Sequence, residues 1–203
     1  MKFKLWLENA ENKPNIFLDL DETLVKTTFV PTSMLEDKEL VEKINHLGGK
    51  IGSDFVTFLR PHAKEFIKEL KSFANVFILT NGKRKFQKNI IKLLEIPIKE
   101  KNIFGREDYD GSSNKLPQSE NSILIDDLSL NTSGVQSKLN AMGINPKYDD
   151  EKFEYEPVKN HIKIKIFDLN PFDIIKNSNN KKENFNDKEL INILPKIKEM
   201  VKK

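Results

Sequence analysis

The chain has 203 residues, 37% of them hydrophobic and 32% charged, with a net charge of +3 and no cysteine. That length suits one sizeable core and not two comfortable ones, so residues 1–203 are expected to form a single domain. The near balance of charge argues against nucleic acid as an obligate partner held by charge alone, and the lack of cysteine excludes disulfides, thiolate metal sites and cysteine nucleophiles.

The opening stretch, MKFKLWLENAENKP, has no apolar run long enough for a signal peptide, and no window approaches the roughly 18 apolar residues of a membrane span. A cytoplasmic or nuclear location without a membrane partner is the expectation. Trp6 is expected to pack on the body, as large aromatics are usually at least partly buried. Asn15–Leu20 carries the apolar run Ile16-Phe17-Leu18 and reads as a buried strand. Glu36–Leu47 has helical spacing, with Leu40, Val41, Ile44 and Leu47 apolar, and Gly48-Gly49 stops it. Ile51–Phe58 alternates loosely, as a hairpin strand would.

Arg60-Pro61 is expected to open a helix with Pro at its first position. Phe66, Ile67, Leu70 and Phe73 form that helix's apolar stripe. Asn75–Leu79 is a second core strand and Lys85–Leu94 a helix, with Phe86, Ile90, Leu93 and Leu94 inward. Asn102–Gly105 reads as a short strand, Asp108–Asn114 as a loop, and Ser122–Ile125 as a buried strand. Gly134–Met142 reads as a helix stopped by Gly143. Asn145–Asn160 is charged and irregular. In His161–Phe167, Ile162, Ile164 and Ile166 alternate with lysines, which predicts a strand with one wet face near a sheet edge. Asn177–Asn186 reads as a polar linker. Asn186 and Glu189 could box the start of a final helix, which Pro195 should kink. Strands alternating with helices predict an α/β fold, with a mostly parallel sheet covered on both faces.

The chemistry concentrates at Asn15–Val25, NIFLDLDETLV. Asp19 and Asp21 follow the apolar run where its strand should end, and residues two apart on a strand share a face. Carboxylates so close repel, and burial makes this worse, so folding alone gives no reason for the pair. A divalent cation together with a proton-transfer role does. The other buried strands also end in polar residues, Thr80-Asn81-Gly82 and Asp126-Asp127. Ligands in open α/β sheets bind at the carboxyl ends of strands, so these residues should meet at one edge. Lys115 lies in the loop before the last of them. His46, His62 and His161 lie far apart without metal-ligand spacing and are expected to serve surface or packing roles.

DLDETLV resembles the DxDxT signature of the haloacid-dehalogenase (HAD) superfamily. The order Asp-x-Asp, Thr, Lys, Asp-Asp resembles the order of its motifs. FLRPHAKEFIKEL and DKELINILPKIKEM are similar to stretches of the branch that contains the RNA polymerase carboxy-terminal-domain phosphatases and the NLI-interacting-factor-like proteins. The resemblance touches most of Asn15–Met200. It implies a Rossmann-like HAD fold and a magnesium-dependent phosphomonoester hydrolase that works through an aspartyl-phosphate. It also implies roles. Asp19 is the nucleophile. Asp21 is the general acid and then base, with its backbone carbonyl on the metal. Lys115 is the neutralising cation, with Lys101 as its rival. Thr80, the amide of Asn81 and the signature's Thr23 lie on the substrate side. Asp126 is a magnesium ligand, and Asp127 a second ligand or water-orienter. Two departures stand out: Thr80-Asn81-Gly82 replaces the branch's usual Thr-Ala-Ser, and Asp126-Asp127 its frequent Asp-Asn.

HAD enzymes for small metabolites usually carry a cap that closes over the site. Residues 26–59 hold one short helix and a hairpin, and Gly82–Asn114 is already filled by its helix and short strand, so neither has room for a full cap. The expected substrate is a phosphate on a macromolecule, such as phosphoserine or phosphothreonine in a protein. The competing readings are a phosphatase of a nucleotide or other small metabolite, and a non-catalytic phospho-binding or receiver-like signalling module. Receiver domains place their acidic pair first and their lysine last, whereas here the Asp-x-Asp pair opens the set and Lys115 precedes Asp126-Asp127.

Overall fold

The computed structural model describes residues 13–109, 116, 117, 119, 121–167, 169 and 186–202. The expectations for Trp6, Lys115 and the 177–185 linker lie outside the described residues.

β1 (Asn15–Leu18) is the middle of a five-stranded sheet. β5 (Asn75–Leu79) and β6 (Ile103–Phe104) follow on one side, and β7 (Ile123–Asp126) and β10 (His161–Lys163) on the other. Every pairing is parallel, with Phe17 level with Phe77 and with Leu124. Central parallel strands are buried on both faces, which is why they read as continuous apolar runs.

Alternation along the strands makes two cores. Ile16, Leu18, Val76, Ile78, Ile123 and Ile125 face a cluster that includes Phe66, Ile67 and Leu70 of α3 (Ala63–Phe73), Ile90 and Ile91 of α4 (Arg84–Leu93), and Leu190 and Ile197 of α7 (Glu189–Met200). Phe17, Leu79 and Leu124 face the other way, against Val135 and Leu139 of α6 (Ser133–Ala141) and Tyr109 of α5 (Arg106–Tyr109). The sheet is therefore covered on both faces, as the strand-helix alternation predicts.

Between β1 and α3 the chain inserts a three-stranded antiparallel sheet in the order β2 (Val25–Phe29), β4 (Phe55–Leu59), β3 (Lys50–Ile51). Two short helices, α1 (Thr32–Leu35) and α2 (Lys38–His46), accompany it. Leu40 and Ile44 of α2 bury against Val56 and Phe58. Phe29 stacks on Phe86 at 5.7 Å, which ties the insert to α4. β8 (Tyr148–Asp149) and β9 (Glu154–Tyr155) form a small hairpin within the segment expected to be irregular.

Several local expectations need correction. Pro61 is not the first residue of α3; His62, at φ 63°, caps a helix that starts at Ala63. Tyr109 ends a helical turn rather than belonging to a loop. Ile166 is 43% exposed, because β10 stops at Lys163 and the alternation lapses. No side chain caps α7 at Lys188. Instead, Asp187 Oδ1 accepts from the Glu189 amide at 2.8 Å, and Glu189 reaches back to the Lys165 amide at 3.1 Å.

Candidate active site

β1 delivers Asp19 to the carboxyl edge of the sheet, where its amide still donates to the Ile125 carbonyl at 2.9 Å. The chain then turns sharply. The amides of Leu24 and Val25 both donate to the Leu20 carbonyl, and Glu22 takes a left-handed φ of 61°. This turn separates the two signature carboxylates. Asp19 is buried among other charges, whereas Asp21 faces α4. There Asp21 Oδ2 accepts from Gln87 Nε2 at 2.6 Å and from the Thr80 hydroxyl at 3.4 Å. Gly82 makes the Gln87 contact possible: a Cβ at that position would lie 2.2 Å from Gln87 Nε2.

β7 ends in Asp126, fully buried, and Asp127, 7% exposed, follows it. Asp19, Asp126 and Asp127 each offer a carboxylate oxygen, all within 4.8 Å of one another. Three buried hard-oxygen donors at that spacing suit magnesium, which favours carboxylates, water and phosphate oxygens. Thr23 fixes Asp127 from behind: its hydroxyl donates to Oδ1 at 3.0 Å and accepts from the Asp127 amide at 3.1 Å. Thr23 is fully buried. Thr23, expected on the substrate side, is thus placed with its hydroxyl on Asp127.

Among the described residues, one cation enters this cluster. Lys138, on α6, is fully buried and donates to Asp19 Oδ1 at 2.6 Å and Asp126 Oδ2 at 2.7 Å. Burial works against the Lys138 ammonium, but Asp19 and Asp126 outweigh it and hold its pKa above the ordinary lysine range. Burial pushes the Asp19 carboxyl up to about 8; Lys138 pulls the other way, and Asp126 and Asp21 add to the rise. Burial also raises Asp21, against the hydrogen bonds from Gln87 and Thr80, and raises Asp127, against the bond from Thr23.

Thr80, at the end of β5, is fully buried, and its hydroxyl accepts from the Gly82 amide at 3.0 Å. The Asn81 side chain accepts from the Tyr109 hydroxyl. Asn81 lines two adjoining clefts. One, of about 420 Å³, is also walled by Arg106, Thr132, Ser133 and Ser137; the other, of about 630 Å³, by Gly82, Lys83 and Arg106. The structure thus brings Asp19, Asp21, Thr80, Asn81, Asp126 and Asp127 to one edge. Lys101 is not among them. It is exposed in the 3-10 turn that precedes β6, and so sits at the opposite, amino edge of the parallel sheet.

A family model of NLI interacting factor-like phosphatases matches residues 14–203. The chain belongs to that family. Among solved structures, this NLI interacting factor-like chain is similar to a variant of the fission yeast RNA polymerase II CTD phosphatase Fcp1 bound to beryllium fluoride. Identity is 17% over 63% of this chain and 40% of that one, at a TM-score of 0.45. A structure of Fcp1, described as an essential RNA polymerase II CTD phosphatase, gives 17% identity over 63% of this chain and 41% of that one, again at 0.45. The chain spans about two fifths of the length of those Fcp1 chains. Among the described residues, no helix is long and apolar enough to cross a membrane.

Sequence reasoning missed Lys138 and Gln87. Both lie on the inner faces of amphipathic helices: Lys138 one residue before the buried Leu139, Gln87 three before the buried Ile90. A long polar residue inside an apolar stripe was the available signal.

Proposed function

We propose that the chain is a magnesium-dependent phosphomonoester hydrolase working through an aspartyl-phosphate, and that its substrate is a phosphorylated macromolecule. The observation that carries this is the division of labour between two carboxylates two residues apart. Asp19 sits with Asp126 and Asp127 among donors suited to a cation, while Asp21 sits apart against Gln87 and Thr80. A nucleophile and a general acid need that difference of environment.

An Asp19 oxygen attacks phosphorus as the ester P–O bond breaks, and Asp21 gives its proton to the departing oxygen. Burial favours the protonated Asp21 this step needs. Asp21, now a carboxylate, takes a proton from water as that water attacks the phosphoryl group on Asp19. Inorganic phosphate leaves, and both side chains return to their starting states. Asp19, Asp126 and Asp127, with the Asp21 backbone carbonyl, would hold magnesium, which supplies charge neutralisation to the phosphoryl oxygens. Thr80 and the Asn81 amide orient those oxygens.

The size of the insert supports the substrate class. Two short helices and three short strands form a wall beside the site and leave little to close as a lid. Open clefts beside Asn81, bordered by Lys83 and Arg106, suit a phosphate carried on an extended chain. The test is turnover of a panel of phosphoserine and phosphothreonine peptides, nucleotides and sugar phosphates, with Asp19→Asn as the control. Higher kcat/KM on phosphopeptides, abolished in Asp19→Asn, is expected. One small metabolite turned over far more efficiently than any peptide would contradict the open-site reading, and undiminished turnover by Asp19→Asn would contradict the mechanism.

A further inference from the structure

The full burial of Lys138 is costly, and packing does not require it. The position lies between Val135 and Leu139 on the inner stripe of α6, where a leucine or methionine would fill the same space. Its ammonium touches Asp19, just past the end of β1, and Asp126, at the end of β7. Asp19, Asp21, Asp126 and Asp127 carry a formal charge of −4 when ionised, and Lys138 brings the sum to −3 (−4 + 1). A phosphate dianion approaching that cluster needs every fixed cation available.

α6 is held where its lysine can reach. Thr132 caps it by accepting from the Val135 amide at 3.4 Å. Gly134 allows close approach to the β5 loop, since a Cβ there would lie 2.5 Å from Asn81 Nδ2. The ammonium has three N–H donors. Among the described residues, Asp19 and Asp126 take two.

We propose that Lys138, supplied by the helix after Asp126-Asp127, is the catalytic cation of this site, doing the work that motif order assigns to Lys115. It holds one oxygen of Asp19 so that the other faces phosphorus, and its third N–H stabilises the transferring phosphoryl oxygen. This rests on the phosphatase reading above but fails separately from it.

The test compares Lys138→Met, Lys138→Arg and Lys115→Ala in the full chain with magnesium. The readouts are kcat on a phosphopeptide, circular dichroism, and binding of beryllium fluoride, a mimic of a phosphoryl group on Asp19, followed by fluorine NMR. Lys138→Met is expected to lose about 10²–10³-fold in kcat, as for removal of an oxyanion donor, and to lose the beryllium fluoride signal, with circular dichroism reading whether the two carboxylates it leaves unpaired unfold the chain. Lys115→Ala should keep both. If Lys138→Met fails to fold, Lys138→Arg decides. It keeps the charge that compensates Asp19 and Asp126, but its wide fork cannot take the place of an ammonium at 2.6 and 2.7 Å, so turnover and beryllium fluoride binding should both fall. Parent-like values for Lys138→Arg, or loss of both in Lys115→Ala, would overturn the assignment while leaving the phosphatase reading intact. A parent chain that neither turns over any phosphomonoester nor binds beryllium fluoride would instead sink the phosphatase reading.

Discussion

Arg60 is a clamp between the signature turn and the end of the chain, and its removal should be costly. Only 1% of it is exposed. Its Nε donates to Asp187 Oδ2 at 2.9 Å, Nη1 to the Thr23 carbonyl at 3.0 Å, and Nη2 to the Lys165 carbonyl at 2.8 Å. The guanidinium also lies 5.5 Å from the centre of the Phe167 ring. Arg60→Ala strands two carbonyls and a carboxylate. Breaking a buried ion pair from one side costs about 3–5 kcal/mol. The Asp187 side chain keeps 20% of its surface in water, which places the loss in the lower half of that range. Against a total of about 5–15 kcal/mol this is severe. In a thermal melt, at about 2–4 °C per kcal/mol, Tm should fall by roughly 6–16 °C. Arg60→Lys should fall between, because a single nitrogen cannot reach three oxygens that three separate guanidinium nitrogens serve. A loss for Arg60→Ala of no more than about 0.5 kcal/mol, as for an ordinary surface substitution, would refute the clamp.

Three further outcomes follow from the site. Asp21→Asn keeps the size but cannot pass a proton, so kcat should drop by about 10²–10⁴-fold with an unchanged circular dichroism spectrum; near-parent turnover would reassign Asp21. Thr23→Val removes the hydroxyl that holds Asp127 and should weaken magnesium binding by about 10–100-fold, read by isothermal titration calorimetry. Burial raises the Asp19 carboxyl, up to about 8, so in the metal-free protein it holds a proton more readily near neutral pH than an ordinary carboxylate does. A cation taking that oxygen favours the ionised form, so magnesium binding should release more protons at pH 7 than above pH 9. Calorimetry in buffers of different ionisation enthalpy measures this, and a release that does not shrink with rising pH would contradict it.

The legible parts of the fold were those where one physical signal dominates. Ile16-Phe17-Leu18, Val76–Leu79 and Ile123–Ile125 announce themselves because strands buried on both faces must be apolar throughout. Asp19, Asp21, Asp126 and Asp127 were legible because carboxylates ending such runs have no packing rationale. β2 was missed because Val25–Phe29, VKTTF, lies at the edge of the insert sheet, where polar residues are tolerated and the apolar signal fades. The box expected from Asn186 is absent at the start of α7 because the neighbouring Asp187, of equivalent chemistry, accepts from the Glu189 amide and is held there by Arg60. Lys138 was hidden by abundance: the chain has 34 lysines and arginines, and its place between Val135 and Leu139 is a faint signal until packing shows it fully buried.

The most direct test of the central claim is to trap the phosphoryl group where it should be. A phosphopeptide is mixed with the enzyme and magnesium, quenched in acid during turnover and treated with borohydride, which reduces an acyl phosphate to an alcohol. Peptide mass spectrometry should then find homoserine in place of Asp19, dependent on substrate and absent when magnesium is chelated. Turnover with an unmodified Asp19, or homoserine at Asp21 or Asp126 instead, would contradict the assignment of Asp19 as nucleophile.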